Sequence, residues 1–82
     1  MLEKVLEIIN DFVDVDLDTA DENTRLRGEL GLNSFDFVNV AIELEREFGV
    51  KIPDSAAANL RTVGELVELV KTLQNETAKE EA

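Results

Sequence analysis

The sequence predicts a small all-α bundle of three longer helices and one short helix, with a long loop between the first two helices. Three observations support this fold class: apolar residues recur at helical spacing in three segments, helix-capping residues bound those segments, and the chain has 82 residues. A chain of this length buries only about two-thirds of the surface that its unfolded form exposes. We therefore expect one domain with a single modest core.

The first helix is predicted near the N-terminus, where apolar residues recur at helical spacing and polar residues fill the other face. Its apolar positions are Leu2, Val5, Leu6, Ile8, Ile9, Phe12 and Val13. Over residues 14–30 this spacing is lost in an acidic stretch that contains the isolated Leu17 and Leu26. We interpret the stretch as a long loop that those two leucines pin to the bundle while it crosses from one end to the other.

The second helix is predicted from about Ser34 to Phe48, because Gly49 suits the left-handed backbone conformation that ends many helices. A helical wheel assigns four residues to its core-facing side and places Val38 and Val40 at the margins of that side. The four core-facing residues are Phe37, Ala41, Leu44 and Phe48.

Phe35 and Ile42 fall on another side of this wheel, near the end that begins at Ser34, and are expected to be at least partly exposed. Two exposed large apolar side chains there suggest a docking patch. The alternative is that both pack under the long loop. A further side of the helix carries acids and is interpreted as a solvated face that a partner could also bind. These acids are Asp36, Glu43 and Glu47.

The second half of the chain predicts an extended segment and two further helices. Pro53 favours an extended conformation in the residue before it. Asp54 is expected to cap a short helix over residues 55–60. Thr62 and Glu65 have the spacing of a capping box at the start of the last helix. The apolar stripe of that helix consists of Val63, Leu66, Val67, Val70 and Leu73.

Residues after Gln74 have no apolar periodicity. We therefore expect a bundle domain over residues 1–76 and a flexible polar tail over residues 77–82. Because the chain opens at a methionine and ends in this short tail, we also expect a free-standing, monomeric protein.

The charge balance narrows the range of partners. Eight basic against nineteen acidic residues give a formal net charge of −11, which repels nucleic acids and anionic membrane surfaces and favours partners with basic surfaces. Glu3, Lys4 and Glu7 interrupt the first apolar segment, so neither a signal-peptide core nor a membrane span is predicted. The absence of cysteine suits a reducing compartment, and we expect a cytoplasmic location.

The composition also argues against an enzyme. The chain has no His, Cys, Tyr or Trp, so it lacks the usual general base near neutral pH and most covalent nucleophiles. Any catalysis would depend on Ser, Thr, Lys and carboxylates. We therefore expect no enzymatic activity of its own.

Residues 31–36, with the sequence GLNSFD, place one serine hydroxyl at the predicted start of the second helix. The first turn of a helix leaves backbone N–H groups free, and the helix dipole favours an anion there. Ser34 is therefore a candidate attachment point for a phosphate-containing group.

Two other interpretations of this serine are open at this point. Ser34 could act only as a helix cap, in a non-catalytic helical interaction module. It could also be a nucleophile paired with Asp36 or Lys51, but residues two positions apart point to different sides of a helix, which disfavours Asp36.

The acidic loop begins like a calcium-binding loop. Asp14, Asp16 and Asp18 alternate as the first ligands of such a loop do. The sixth and twelfth places, which require glycine and glutamate, are occupied by Thr19 and Arg25. No metal site is predicted, and weak affinity of the acidic loop for divalent cations remains an open alternative.

Three segments resemble the acyl carrier proteins: residues 29–36 around the serine, residues 45–49 at the end of the second helix, and residues 50–54 after it. The similarity covers nearly the whole chain. It implies that a phosphopantetheinyl transferase attaches 4′-phosphopantetheine, taken from coenzyme A, to Oγ of Ser34. Because the arm ends in a thiol, the resemblance implies a carrier that holds acyl groups as thioesters for partner enzymes.

The resemblance also implies a sheltered pocket for an acyl chain between the helices. Its matching positions are Leu26, Phe37, Ala41, Leu44, Ile52, Ala57 and Leu60. Phe37 is bulky at a position where smaller side chains are common in carriers of the fatty-acid type. An inward-pointing Phe37 would shorten the pocket.

Partner docking is implied for the start and the exposed sides of the second helix. The expected docking residues are Asn33, Phe35, Asp36, Ile42, Glu43 and Glu47. The family usually has aspartate before the serine and often leucine after it, whereas this chain has Asn33 and Phe35. Phenylalanine after the serine also occurs in D-alanyl carrier proteins. A D-alanyl or aminoacyl carrier is therefore an alternative to a carrier in fatty-acid or polyketide-type biosynthesis.

Overall fold

The structure is a computed structural model that describes the backbone of residues 1–81 and the side chains of residues 1–76. Its four helices are α1 (Leu2–Asn10), α2 (Ser34–Phe48), α3 (Asp54–Ala57) and α4 (Val63–Glu81). The helices α1, α2 and α4 pack against one another, and no strand forms in the described part of the chain. The predicted all-α bundle of three longer helices and one short helix is confirmed.

The core consists of aliphatic side chains from the three longer helices and from the segments between them. The fully buried helical residues are Val5, Ile9, Val40, Leu44, Val63, Leu66 and Val70. The long loop adds Leu26 and Leu32, and the segment after α2 adds Val50 and Ile52. Each such side chain contributes about 1.5–3 kcal/mol when it is fully buried. This packing holds α2 against both α1 and α4.

The end of α1 differs from the prediction. The apolar stripe predicted a helix that runs on through Phe12, but α1 ends at Asn10. The N–H groups of Asp11 and Phe12 bond to carbonyls three residues earlier, in a tightened last turn. Oδ1 of Asn10 accepts a hydrogen bond from the Val15 N–H group (2.9 Å), and this local side-chain bond competes with a further helical turn. Phe12 therefore lies outside the helix and is exposed.

The long loop is present over residues 11–33, and only one of the two leucines that were expected to pin it is buried. Leu26 lies in the core as predicted, whereas the prediction for Leu17 was wrong because this side chain is exposed. Oδ1 of Asp16 accepts a hydrogen bond from the Asp18 N–H group (3.1 Å) across Leu17. This tight local turn places Leu17 at the surface, where it lines a small cleft of about 200 Å³ beside α1.

The loop is tied to the start of α4 by backbone hydrogen bonds, which we call the loop–α4 pairing. Its three bonds join Leu26 N to Arg61 O (2.9 Å), Val63 N to Thr24 O (2.9 Å) and Gly64 N to Glu22 O (2.8 Å). Arg25 and Thr62 form an isolated antiparallel bridge between the same two segments. These loop groups would otherwise need water as a hydrogen-bond partner, and the start of α4 supplies that partner instead.

The second helix has the predicted bounds, and its last turn anchors the chain that follows. Gly49 ends the helix with a φ of +66°, a conformation that glycine adopts without steric cost. Oε2 of Glu45 accepts a hydrogen bond from the Ile52 N–H group (2.8 Å). A side chain on α2 therefore holds the extended segment in place, which brings Ile52 into the core.

The short helix differs from the prediction at both ends. It spans Asp54–Ala57, with Pro53 in the cap position and no side-chain cap. Asp54 therefore lies in the first turn instead of capping the helix. Asn59 and Leu60 donate backbone hydrogen bonds to carbonyls three residues earlier, so the chain tightens after Ala57 and does not continue as an α-helix to Leu60.

The last helix begins with the predicted capping box and extends further than predicted. Glu65 N donates to Oγ1 of Thr62 (3.2 Å), and Oε1 of Glu65 accepts from Thr62 N (3.1 Å). The helix continues past Gln74 to Glu81, since the Glu, Lys and Ala residues there favour helix without an apolar stripe. The expectation of a flexible tail over residues 77–82 concerns residues whose side chains lie outside the described part of the structure, and it stays a prediction. No described helix is long and apolar enough to cross a membrane.

We predict that Gly64→Ala destabilises the protein although alanine is the better helix former. A Cβ at this position would lie 2.9 Å from the Glu22 carbonyl oxygen and would disturb the loop–α4 pairing. The free energy of unfolding should fall by about 1–3 kcal/mol, as for other overpacked sites. Urea unfolding measures this change.

Gly28→Ala is the matched control, because a Cβ there would meet only the flexible side chain of Arg25, at 3.3 Å. We expect this variant to remain close to the wild-type stability. Equal stabilities of the two variants would contradict the role assigned to the contact between Gly64 and Glu22.

Candidate functional site

Ser34 is the first residue of α2, and the turn before it is set by the long loop. Gly31 has a φ of +71°, which favours glycine, and Leu32 is buried in the core. The Leu32 N–H group donates to the Leu26 carbonyl (3.0 Å), so the chain returns to its buried anchor just before the helix begins. The start of α2 is thus positioned by a buried leucine on each side of a glycine turn.

Asn33, and not Ser34, caps this helix. Oδ1 of Asn33 accepts a hydrogen bond from the Asp36 N–H group (2.8 Å), and the Asn33 backbone is extended (φ −87°, ψ 177°). The Ser34 side chain is exposed and makes no hydrogen bond to another described residue. The interpretation of Ser34 as only a helix cap was therefore wrong.

The start of α2 fits a phosphate diester. The side chain of Asn33 accepts from the N–H group of Asp36. The N–H groups of Ser34 and Phe35 therefore remain without an acceptor among the described residues. Free N–H groups in the first turn and the positive end of the helix dipole favour an anion at this place. The serine oxygen and the donors that would face its phosphate therefore belong to the same helical turn.

An exposed apolar strip runs along α2 from this serine. Phe35 is 75% exposed and Ile42 is 41% exposed, so the prediction that both lie at least partly outside the core is confirmed. Val38 is 56% exposed and belongs to the same strip, although the helical wheel had placed it at the margin of the core. Val38 and Ile42 follow Phe35 by three and seven residues, a spacing that places all three on one face of a helix. The sequence contains this spacing, but the structure shows that the whole face is exposed.

The core-facing side of α2 is centred differently from the predicted one. Val40 and Leu44 are fully buried, whereas Phe37, Ala41 and Phe48 are half-buried. The helical wheel had centred the core-facing side on Phe37, Ala41, Leu44 and Phe48. The structure centres it on Val40 and Leu44, because the size of an apolar side chain does not by itself decide how deeply it is buried.

The acids of the expected docking set lie on a different side of α2 from the apolar strip. Oε1 of Glu47 lies 3.2 Å from Nζ of Lys4 on α1, and Oε1 of Glu43 lies 3.4 Å from Nη1 of Arg46. Exposed ion pairs of this kind stabilise a protein by about 0–1 kcal/mol. Asp36, at the same side of the wheel, is half-buried. The expected docking residues therefore occupy two faces of the helix.

The seven residues expected around an acyl chain all belong to the core or pack against it. Leu26, Leu44 and Ile52 are buried. The other four, which pack against the core while half-buried, are Phe37, Ala41, Ala57 and Leu60. Leu60 also lines two open clefts of about 600 Å³ and 420 Å³ on the side of the loop and α4.

The acidic loop does not form a ligand cluster. Within the described residues no group of three or more carboxylates lies close enough to hold a metal ion. Asp14, Asp16 and Asp18 are exposed, and one oxygen of Asp16 is used in the local turn.

Comparison with known proteins gives a family match and two similar structures. A family model described as a phosphopantetheine attachment site matches residues 3–70, which is most of the chain. A Mycobacterium tuberculosis protein assigned as an acyl carrier protein has a TM-score of 0.78 and 27% identity, over 88% of this chain and 97% of that chain. The hexanoyl acyl carrier protein of the actinorhodin polyketide synthase from Streptomyces coelicolor has a TM-score of 0.72 and 29% identity, over 92% of this chain and 87% of that chain.

We predict that Asn33→Ala destabilises α2. Loss of the cap leaves the Asp36 N–H group without its acceptor, which should lower the free energy of unfolding by about 0.5–2 kcal/mol. Asn33→Asp should retain the cap and add a favourable charge at the positive end of the dipole. Urea unfolding of the two variants provides the test, and an alanine variant as stable as the aspartate variant would exclude the cap as a source of stability.

Proposed function

Because the chain belongs to the acyl carrier protein family, whose prosthetic group is 4′-phosphopantetheine, we propose that Oγ of Ser34 is the attachment atom. The observation that carries this proposal is an exposed, unengaged serine at the first position of α2, directly after a cap supplied by its neighbour Asn33. When bound, the group supplies a thiol that the cysteine-free chain lacks.

The chain's own residues support presentation of the group and not chemistry upon it. The cap of Asn33 keeps the first turn ordered, and the N–H groups of Ser34 and Phe35 are placed to donate to a phosphate. A base and a site for coenzyme A must come from a separate phosphopantetheinyl transferase. Proteins of the acyl carrier type are carriers and not catalysts, which agrees with the absence of histidine and cysteine.

We propose that partner enzymes bind the exposed apolar strip of Phe35, Val38 and Ile42 in a partly apolar cleft. Basic groups at the rim of that cleft would meet Asp36 and Glu43, in keeping with the net charge of −11. Glu43 and Glu47 are weaker candidates than Asp36, since their carboxylates are paired with Arg46 and Lys4 of this chain. Asn33 is a docking candidate only because it lies next to Ser34, since its side-chain oxygen caps α2.

The cargo that we propose is an acyl group of fatty-acid or polyketide-type biosynthesis. Seven apolar side chains that belong to the core or pack against it support shelter for such a group. A Phe37 side chain that points inward would shorten the space for the acyl chain, which favours short cargo. A D-alanyl or aminoacyl cargo is the second candidate, because Phe35 follows the serine. Mass spectrometry of the protein from its native host would identify the cargo.

We predict that the protein gains the mass of one phosphopantetheine group when it is incubated with coenzyme A and a transferase. Ser34→Ala should abolish the gain. Ser55→Ala is the matched control, because Ser55 is the only other serine and is also exposed. Modification of the Ser34→Ala variant, or its loss in the Ser55→Ala variant, would refute the assignment.

We also predict that Val38→Ser and Ile42→Ser slow the modification without a change in helicity. Removing one contact of about 1–2 kcal/mol at a partner surface lowers kcat/KM by about tenfold. Leu17→Ser is the matched control, since Leu17 is an equally exposed apolar residue on the loop. Equal rates for all three variants would remove the apolar strip from the docking surface.

A further inference from the structure

A cleft of about 420 Å³ lies between the long loop and the connection from α3 to α4. Its lining includes Arg25, Arg27, Arg61, Gly28, Leu60 and Glu65. Three of the chain's eight basic residues therefore face one cleft in a protein whose net charge is −11. We call it the arginine cleft. Its volume falls in the range of about 300–1,000 Å³ that is typical of sites for small molecules.

The three guanidinium groups are available to a ligand. The ion pairs found among the described residues involve Lys4 and Arg46, and neither of these lines the arginine cleft. Oε1 of Glu65, the carboxylate in the cleft, accepts hydrogen bonds from the backbone N–H groups of Arg61 (3.0 Å) and Thr62 (3.1 Å). A second acid of this region, Glu29, accepts a hydrogen bond from the backbone N–H group of Arg25 (3.2 Å). Both acids thus bind backbone groups, and the three arginine side chains are exposed and form no ion pair within the described residues.

The loop–α4 pairing holds these arginines together. The hydrogen bond from Leu26 N to Arg61 O places Arg61 beside a residue whose two chain neighbours are Arg25 and Arg27. Gly28 leaves room for the aliphatic part of Arg25, since a Cβ at this position would lie 3.3 Å from Cδ of Arg25. The cluster is therefore built by backbone contacts and does not arise from chance proximity of mobile side chains.

The arginine cleft lies near the attachment end of α2. Leu32 N donates to Leu26 O (3.0 Å), which brings the chain that leads into the helix next to the arginine-bearing segment. Ser34 follows two residues later, a chain distance of at most about 7 Å. This path joins Ser34 to Leu26, whose two chain neighbours Arg25 and Arg27 line the cleft, and it is shorter than an extended phosphopantetheine arm.

We propose that the arginine cleft binds the free carboxylate of an acyl group carried on the arm at Ser34. The proposal rests on the proposed function. Guanidinium groups bind carboxylates through paired, charge-assisted hydrogen bonds. Leu60 supplies an apolar wall for the methylene groups of the same ligand.

The test compares two loaded forms of the ¹⁵N-labelled full-length protein by NMR. One carries a glutaryl group on a pantetheine analogue through a stable amide, and the other carries the matching neutral carboxamide. We expect the carboxylate form to shift the amide signals of Arg25, Arg27, Gly28 and Arg61 more than the carboxamide form does. Equal shifts with both loaded forms would overturn the proposal.

Two variants of the cleft and one charge-matched control sharpen this comparison. Arg27→Gln or Arg61→Gln should reduce the difference between the two forms by about half, because each removes one charge-assisted partner of the carboxylate. Arg46→Gln, which changes an exposed arginine outside the cleft by the same charge, should leave the difference unchanged. An equal effect of Arg46→Gln would show general electrostatics and would count against the cleft.

A titration of the unloaded protein distinguishes a carboxylate carried on the arm from a dissolved one. It also distinguishes failure of this proposal from failure of the proposed function. Free glutarate is added to the unloaded protein at constant ionic strength, with glutaramide as the neutral control. Shifts with free glutarate but not with the loaded glutaryl form would replace the cargo by a dissolved anion and overturn the proposal. A protein that cannot be loaded at Ser34 would refute the proposed function, while the free glutarate titration would still test the cleft.

Discussion

The pairing of the long loop with the start of α4 is the interaction on which the rest of the site depends. Its backbone hydrogen bonds fix Leu26 in the core, and the Leu26 carbonyl in turn receives the N–H group of Leu32. The glycine turn at Gly31 and the start of α2 follow from these two anchors. The same pairing brings Arg61 beside the arginines of the loop. A few backbone contacts therefore position both Ser34 and the arginine cleft.

Different faces of helix α2 pack into the core and remain exposed. One face supplies Val40 and Leu44 to the core, and another exposes Phe35, Val38 and Ile42, where we propose that partners bind. The helix begins at the Asn33 cap and ends at Gly49, whose backbone is left-handed. Its position along the bundle is further fixed by Glu45, which binds the backbone after the helix. A rigid helix with an exposed first residue is well suited to hold a flexible arm.

The bounds of α2 and the start of α4 were predictable because their signals are local. A cap, a glycine stop and a capping box each act within four residues, so the sequence contains the whole interaction. The ends of α1 and α3 were predicted wrongly. There the apolar pattern continues, but Asn10 bonds to Val15 and the chain tightens after Ala57. Short helices have little internal stability, so such single contacts decide where they end.

The sequence by itself determined the helical class, the position of Ser34 at a helix start and the family to which the chain belongs. These properties depend on spacing and on motifs within short segments. Only the tertiary structure decided that Val38 joins the exposed strip, that Leu17 stays outside the core and that three arginines from distant segments share a cleft. The physical reason is that burial and charge clustering depend on which segments meet, and the loop–α4 pairing joins residues more than thirty positions apart.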